Sequence, residues 1–518
     1  MKKSLSLLYI FLVSFLYFGC GGGGSDSSSD KFFALNNGPV MVLNSLNVTN
    51  EKPDPNITII IGGLDNSVKP HTAVTVMNTT SSAQRTVQSN NRGGFVTTLE
   101  GSVDDQFRIM SNGVDTTIGS IFFLDLNRDT RVKLMSGAVN RNLASLERAP
   151  NIIKIFNDRA YVINSLSDNI YIFDITHNPP VRTGIIVLPQ FSDPLNMAFL
   201  DETHAYVTNT VSQNVAIVNL DDKSCEAVIS QTGGNFEPCD EVIPADEGSF
   251  VNPAGIAIAN GKVYVANQNL DTDFSPLGNG YITVINTANN QVIKTIETTG
   301  EGTSGTSTGL RLINDKLYVI NSGNVLFDFG TGEFKCDTSS PVTIDIINTV
   351  SDTIEDSIDF PLSEANPFVC APDSIVPDPY NKFAYFGSQL AGVLFKIDLE
   401  SNTLLRGAAN PIIITNTDEL DQTSDIAFNS SGYGFIALFN TDRIIAFDPE
   451  IDDVDPFPFV AEFPVGIRGD DPSSDLFEGV QALAIDDSGN PDLYYITSII
   501  QGSESLGSVE TSLFVPED

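Results

Sequence analysis

Apolar and polar residues alternate along most of this chain in short runs, the two-residue period of strands with one buried face. No stretch sustains a helical period. The runs come in a fixed order. An apolar run opens each unit, such as Gly255-Ile256-Ala257-Ile258 or Asp425-Ile426-Ala427-Phe428. A tight turn follows, as at Ala259-Asn260-Gly261-Lys262, where Asn-Gly favours positive φ. The second run starts on an aromatic residue, the third ends on Asn or Asp, and a fourth, such as residues 292–297, closes the unit.

The second run repeats most closely. It reads Tyr161-Val162-Ile163-Asn164, Tyr206-Val207-Thr208-Asn209, Tyr264-Val265-Ala266-Asn267 and Tyr318-Val319-Ile320-Asn321. Worn copies start at Tyr385, Phe435 and Tyr494. The third runs are residues 169–174, 214–219, 281–286, 342–348, 393–398 and 443–448. Most anchor spacings exceed the roughly 40–50 residues that a four-stranded blade needs, so loop insertions are expected. The set resembles the YVTN family of β-propellers, a surface-layer and periplasmic group. That resemblance covers the chain from about residue 120 onward. It implies an all-β fold in which residues 118–518 form a seven-bladed β-propeller. The seventh unit has one further run, 509–515, after Tyr494. Its outermost strand is therefore expected from residues 118–124 or 131–135, closing the ring between the two ends of the chain.

The N-terminus carries Lys2 and Lys3, an apolar run over residues 5–18, and Gly19-Cys20. The run is too short to span a bilayer stably. A small residue before Cys resembles a bacterial lipobox, which implies a signal peptide at 1–19 and a lipidated Cys20. Residues 20–47 then read as a Gly/Ser tether, and the absence of Asp after Cys20 favours the outer membrane, periplasmic or surface-exposed. Four cysteines remain: Cys225, Cys239, Cys336 and Cys370. In an oxidising compartment the economical pairing is local, 225–239 and 336–370. Residues 48–117 alternate as five strands around 57–61, 73–78, 85–88, 95–99 and 107–110. This pattern resembles a small bacterial Ig-like β-sandwich, a spacer or adhesion module.

Lys and Arg total 27 against 66 Asp and Glu, a formal charge of −39. That balance argues against nucleic acid and anionic membrane surfaces. Three histidines and no Trp leave little for copper, haem or quinone chemistry. Asp125, Asn127 and Asp129 match the opening of a calcium loop, but Thr130 and Ser136 replace its Gly and Glu; calcium is the one cofactor candidate. The residue before each opening apolar triplet is Ile152, Asn196, Gly255, Gly309, Asp373, Asp425 or Ala482. Asp373 and Asp425 would then be neighbours at a central funnel, with Asn196 across it, able to hold a cation or share a proton. The expected function is a non-catalytic, outer-membrane-anchored binding or scaffold lipoprotein, its partner a protein or glycan. Two alternatives stay open: a metal-dependent, lactonase-like propeller hydrolase and a subunit of an envelope-assembly complex.

Overall fold

The computed structural model describes seven strands between Met41 and Asp115 and, apart from several loop segments, residues 134–514. Cys20, the leader and most of the tether lie outside the described residues. The chain forms two compact units. The smaller includes residues 21–139, and the larger includes residues 140–444 and 464–508.

In the smaller unit, Met41–Ser45, Ile57–Gly63 and Phe95–Gly101 form one sheet in that order. Gln84–Gln88, Ala73–Asn78, Phe107–Ser111 and Val114–Asp115 form another. Along Ala73–Asn78, Val74, Val76 and Asn78 are fully buried while the residues between them are not, the alternation expected of a strand with one covered face.

The larger unit is an all-β, propeller-like arrangement. Six blades are built from consecutive strands, opening at Pro150–Phe156, Pro194–Phe199, Pro253–Ala259, Leu310–Ile313, Pro372–Pro377 and Thr423–Phe428; they are numbered 1 to 6 in that order. The expected seventh blade of the same kind is corrected here. The remaining sheet is composite: Gly479–Ile485, Leu493–Ser498 and Ser505–Phe514 are completed by Leu134–Ser145. The strand that completes it overlaps the expected 131–135 segment at Leu134 and Met135 and runs on to Ser145. Each opening strand touches the opening strand of the next sheet, from Pro150–Phe156 round to Gly479–Ile485 and back. These strands surround a central channel.

Local chemistry explains the strand order. The first hairpin of blades 1, 3 and 4 turns on Asn157-Asp158, Asn260-Gly261 and Asn314-Asp315, all at positive φ. Two such residues make the turn whose twist matches paired strands. In blades 1 to 5 the polar residue ending the third strand caps the next turn. Asn219 Oδ1 accepts the N–H groups of Asp221 and Asp222, Asn348 those of Val350 and Ser351, and Asp398 those of Glu400 and Ser401. Asx side chains are favoured there because they satisfy turn N–H groups that no strand pairs. The Asn closing the second strand clamps its own hairpin: Asn164 Nδ2 donates to Asn169 and Asn209 Nδ2 to Asn214.

The cores lie between blades. One buried cluster joins Tyr161, Ile163 and Ile172 of blade 1 to Met197, Val207 and Val218 of blade 2. Another joins Ile344 and Ile346 of blade 4 to Phe386 and Phe395 of blade 5. All seven anchor aromatics are almost completely buried. Insertions account for the wide spacings. Blade 2 carries an extra parallel strand, Glu241–Pro244, and blade 4 an extra hairpin, Val325–Asp328 with Glu333–Cys336. Both insertions are stapled, by Cys225–Cys239 and Cys336–Cys370, so the local pairing holds.

Candidate functional site

Asn196, Asp373 and Asp425 occupy the same kind of position, at a register shift where the opening strand enters its sheet. A bulge leaves a backbone N–H without a ladder partner. In each case the side chain accepts it: Met197 N–H on Asn196, Ser374 N–H on Asp373 and Ile426 N–H on Asp425, all at 2.7–2.8 Å. The outer oxygen of Asp425 takes the Leu483 N–H from the neighbouring sheet at 2.9 Å. Gln389 Nε2 donates to Asp373 at 3.0 Å. All three side chains are buried. Burial pushes the Asp425 carboxyl up to about 7, with a further rise from the charge of Asp373, against the pull of its two backbone N–H donors and of Arg311. The structure therefore places the two carboxylates near one another, enclosed and engaged with backbone rather than open on a rim.

Two cations not foreseen share that region. Lys154 pairs with Tyr161 in register and Arg311 with Tyr318, so each lies opposite its blade's anchor on an opening strand. The same position elsewhere holds Ala198, Ala257, Val376, Ala427 and Ala484. Lys154 Nζ crosses to blade 2 and donates to the Met197 carbonyl at 2.6 Å. Arg311 is solvent-exposed and makes no hydrogen bond or ion pair with any described residue. Despite that exposure, burial among surrounding protein lowers its pKa, opposed by Asp425. An exposed yet desolvated side chain on an inner strand is one that lines the channel. Burial, and then the charge of Arg311, pull Lys154 down to about 7, while Asp425 acts the other way. Moving the alignment of opening strands two residues along the sequence would have shown the cations: every blade then gives an apolar residue except blades 1 and 4, although the bulge of blade 5 puts Ile375 there and Val376 in register.

A second polar set joins blades. Tyr206 Oη donates to Asn290 at 2.5 Å, Tyr264 to Asp352 at 2.6 Å and Tyr318 to Asn402 at 3.1 Å. In every case the acceptor sits at positive φ in the turn between the third and fourth strands of the following blade. The strongest of these clasps adds Lys262, whose Nζ lies 2.7 Å from Asp352. Burial, then the hydrogen bond to Asp352, drive the Tyr264 hydroxyl well above its usual pKa.

Asp168 and Asp193 form a third set between blades 1 and 2. Asp168 accepts the N–H groups of Phe191 and Asp193. Asp193 Oδ2 is buried with no hydrogen-bond partner, and burial together with the charge of Asp168 pushes this carboxyl up to about 7. Asp125, Asn127 and Asp129 lie outside the described residues. Among the described residues, no three His, Cys, Asp or Glu side chains are grouped to hold a metal ion. His204 instead contacts Asp201 and Glu226.

No family model and no curated protein matches the sequence. Solved structures match over most of the chain at low similarity. Hydrazine synthase of Kuenenia stuttgartiensis is 14% identical, with a TM-score of 0.47, over 71% of this chain and 95% of that one. A virginiamycin B lyase from Staphylococcus aureus is 12% identical, with a TM-score of 0.47, over 73% of this chain and 99% of that one. The class, a β-propeller, rests on the ring of sheets in this chain itself.

Proposed function

We propose that the chain is a non-catalytic, lipid-anchored binding protein of the cell envelope, akin to the YVTN propellers, that captures a protein partner through the outer surface of its propeller. In this reading the composite sheet serves as the seventh blade, residues 48–117 are an Ig-like spacer, and Cys20 carries the acyl anchor. The observation that carries it is the outermost strand of blade 1, Val181–Val187. Its edge is unpaired by any further strand among the described residues, and Val181, Ile185 and Val187 are 41–49% exposed on it. Natural sheets protect their edges with charge or cover; an apolar edge is a template for a partner's strand. The two disulfides support an oxidising compartment. The hydrolase alternative depended on Asp373 and Asp425 as free ligands, and both are engaged by backbone N–H groups.

The test is crosslinking and pull-down from intact cells, beside membrane fractionation. Wild type should recover one partner in stoichiometric yield and partition with membranes. Ile185→Lys should lose the partner but keep the membrane, and Cys20→Ser should do the reverse. Recovery of the same partner with Ile185→Lys would sink the edge reading, and unchanged fractionation of Cys20→Ser would sink the anchor.

A further inference from the structure

We infer that the central channel contains a binding site for a small oxyanion, a carboxylate or phosphate, held between Arg311 and Lys154. Three observations carry it. First, seven opening strands bring one register position round the channel, and five of them place Ala or Val there. The two departures are both cationic, in a chain with 27 basic residues against 66 acidic ones. Second, Arg311 is exposed and donates to no described residue. A guanidinium presents five N–H donors in a planar fork that fits a carboxylate or phosphate edge. Lys154 gives one of its three protons to the Met197 carbonyl, which fixes the ammonium in place and leaves two donors.

Third, the carboxylate whose charge reaches both cations pairs with neither. Asp425 influences both cations but hydrogen-bonds to neither; its oxygens accept the N–H groups of Ile426 and Leu483. Lys154 and Arg311 therefore oppose each other, and surrounding protein partly desolvates both. An oxyanion between them relieves that repulsion and supplies the acceptors they lack, while the small side chains on the other opening strands leave it room. The overall negative charge disfavours anions at long range. Selection is thus local, by the fork and the ammonium, not by a basic surface.

This site does not rest on the blade 1 edge, so failure of the pull-down leaves it standing. The experiment is isothermal titration calorimetry of the intact protein with inorganic phosphate and, separately, with succinate. Saturable one-site binding of at least one probe is expected, and the probe that binds names the class. Arg311→Ala should weaken that binding at least fivefold. The replaced side chain is exposed, so the fold should hold; if Arg311→Ala does not fold, Arg311→Gln carries the same test. No saturable binding of either probe, or a weakening below fivefold, overturns the site.

Discussion

Tyr206, Tyr264 and Tyr318 each repeat one bond to the following blade, while the residues opposite those same tyrosines read Ala198, Ala257 and Arg311. The clasps conform to the repeat and are closed: donor and acceptor are both engaged, and both recur. The channel position departs from the repeat; Lys154 is held by one carbonyl, and Arg311 bonds to no described residue. In a fold built by repetition, a polar residue that recurs in register with a partner holds blades together. One that interrupts an apolar register without a partner has another purpose. Asp373 and Asp425 fall on the first side of this division despite their charge, because each completes a bulge.

Four variants break or sharpen that contrast. The largest effect is expected outside both rings, at the inserted hairpin of blade 4. Cys336→Ser with Cys370→Ser opens a loop with a sequence separation of 34 and should cost about 4 kcal/mol in the chain-entropy model, read by urea denaturation with and without reductant. Next is the clasp. Asp352→Ala removes the acceptor of Tyr264 and the counter-ion of Lys262. It should cost about 3 kcal/mol, because a half-buried cation and a buried tyrosine hydroxyl both lose their partner. A loss below about 1 kcal/mol would mean that the clasps decorate blades already joined by their apolar cores.

The third variant concerns the pair between blades 1 and 2. The folded pKa of Asp193, about 7, lies above the ordinary carboxyl value of 3.8. The folded protein therefore holds this proton more tightly than the unfolded chain. Stability is fully present below about pH 4 and is lost as pH rises towards 7. Asp193→Asn should leave stability unchanged at pH 4 and raise it by about 2 kcal/mol at pH 8. The equivalent residue before the opening strand of blade 3 is already Asn252. A pH profile identical in wild type and variant would contradict the assignment.

Much of this was legible in the sequence. The aromatic anchors, the Asn-Gly turn at 260–261 and the terminal Asn or Asp of each third strand are local signals, and each lies where its backbone chemistry requires. The disulfide pairing followed from loop spacing and compartment. The strand composition near 57–111 was also readable from alternation alone. Less legible was anything set by register between blades. Asp373 and Asp425 looked like a rim site because spacing shows that two residues are equivalent, not whether a bulge has left an N–H for each to accept. The closing strand was expected from the N-terminal side, but of Leu134–Ser145 only the first two residues fell in an expected segment, because only pairing with the far end of the chain fixes its bounds. Arg311 and Lys154 escaped notice because the opening strands were compared two residues too early. The partners of the tyrosine hydroxyls lie more than eighty residues downstream, beyond any local pattern.

The fourth variant has the smallest expected effect and bears most directly on the division between closed and open polar residues. Arg311→Ala and Tyr264→Phe should be melted side by side, followed by circular dichroism. Tyr264→Phe removes a recurring clasp bond and should lower the midpoint. Arg311→Ala removes a charge that opposes Lys154 and bonds to no described residue, so its midpoint should equal or exceed that of wild type. A fall for Arg311→Ala as large as that for Tyr264→Phe would show that Arg311 is structural, and would contradict the account.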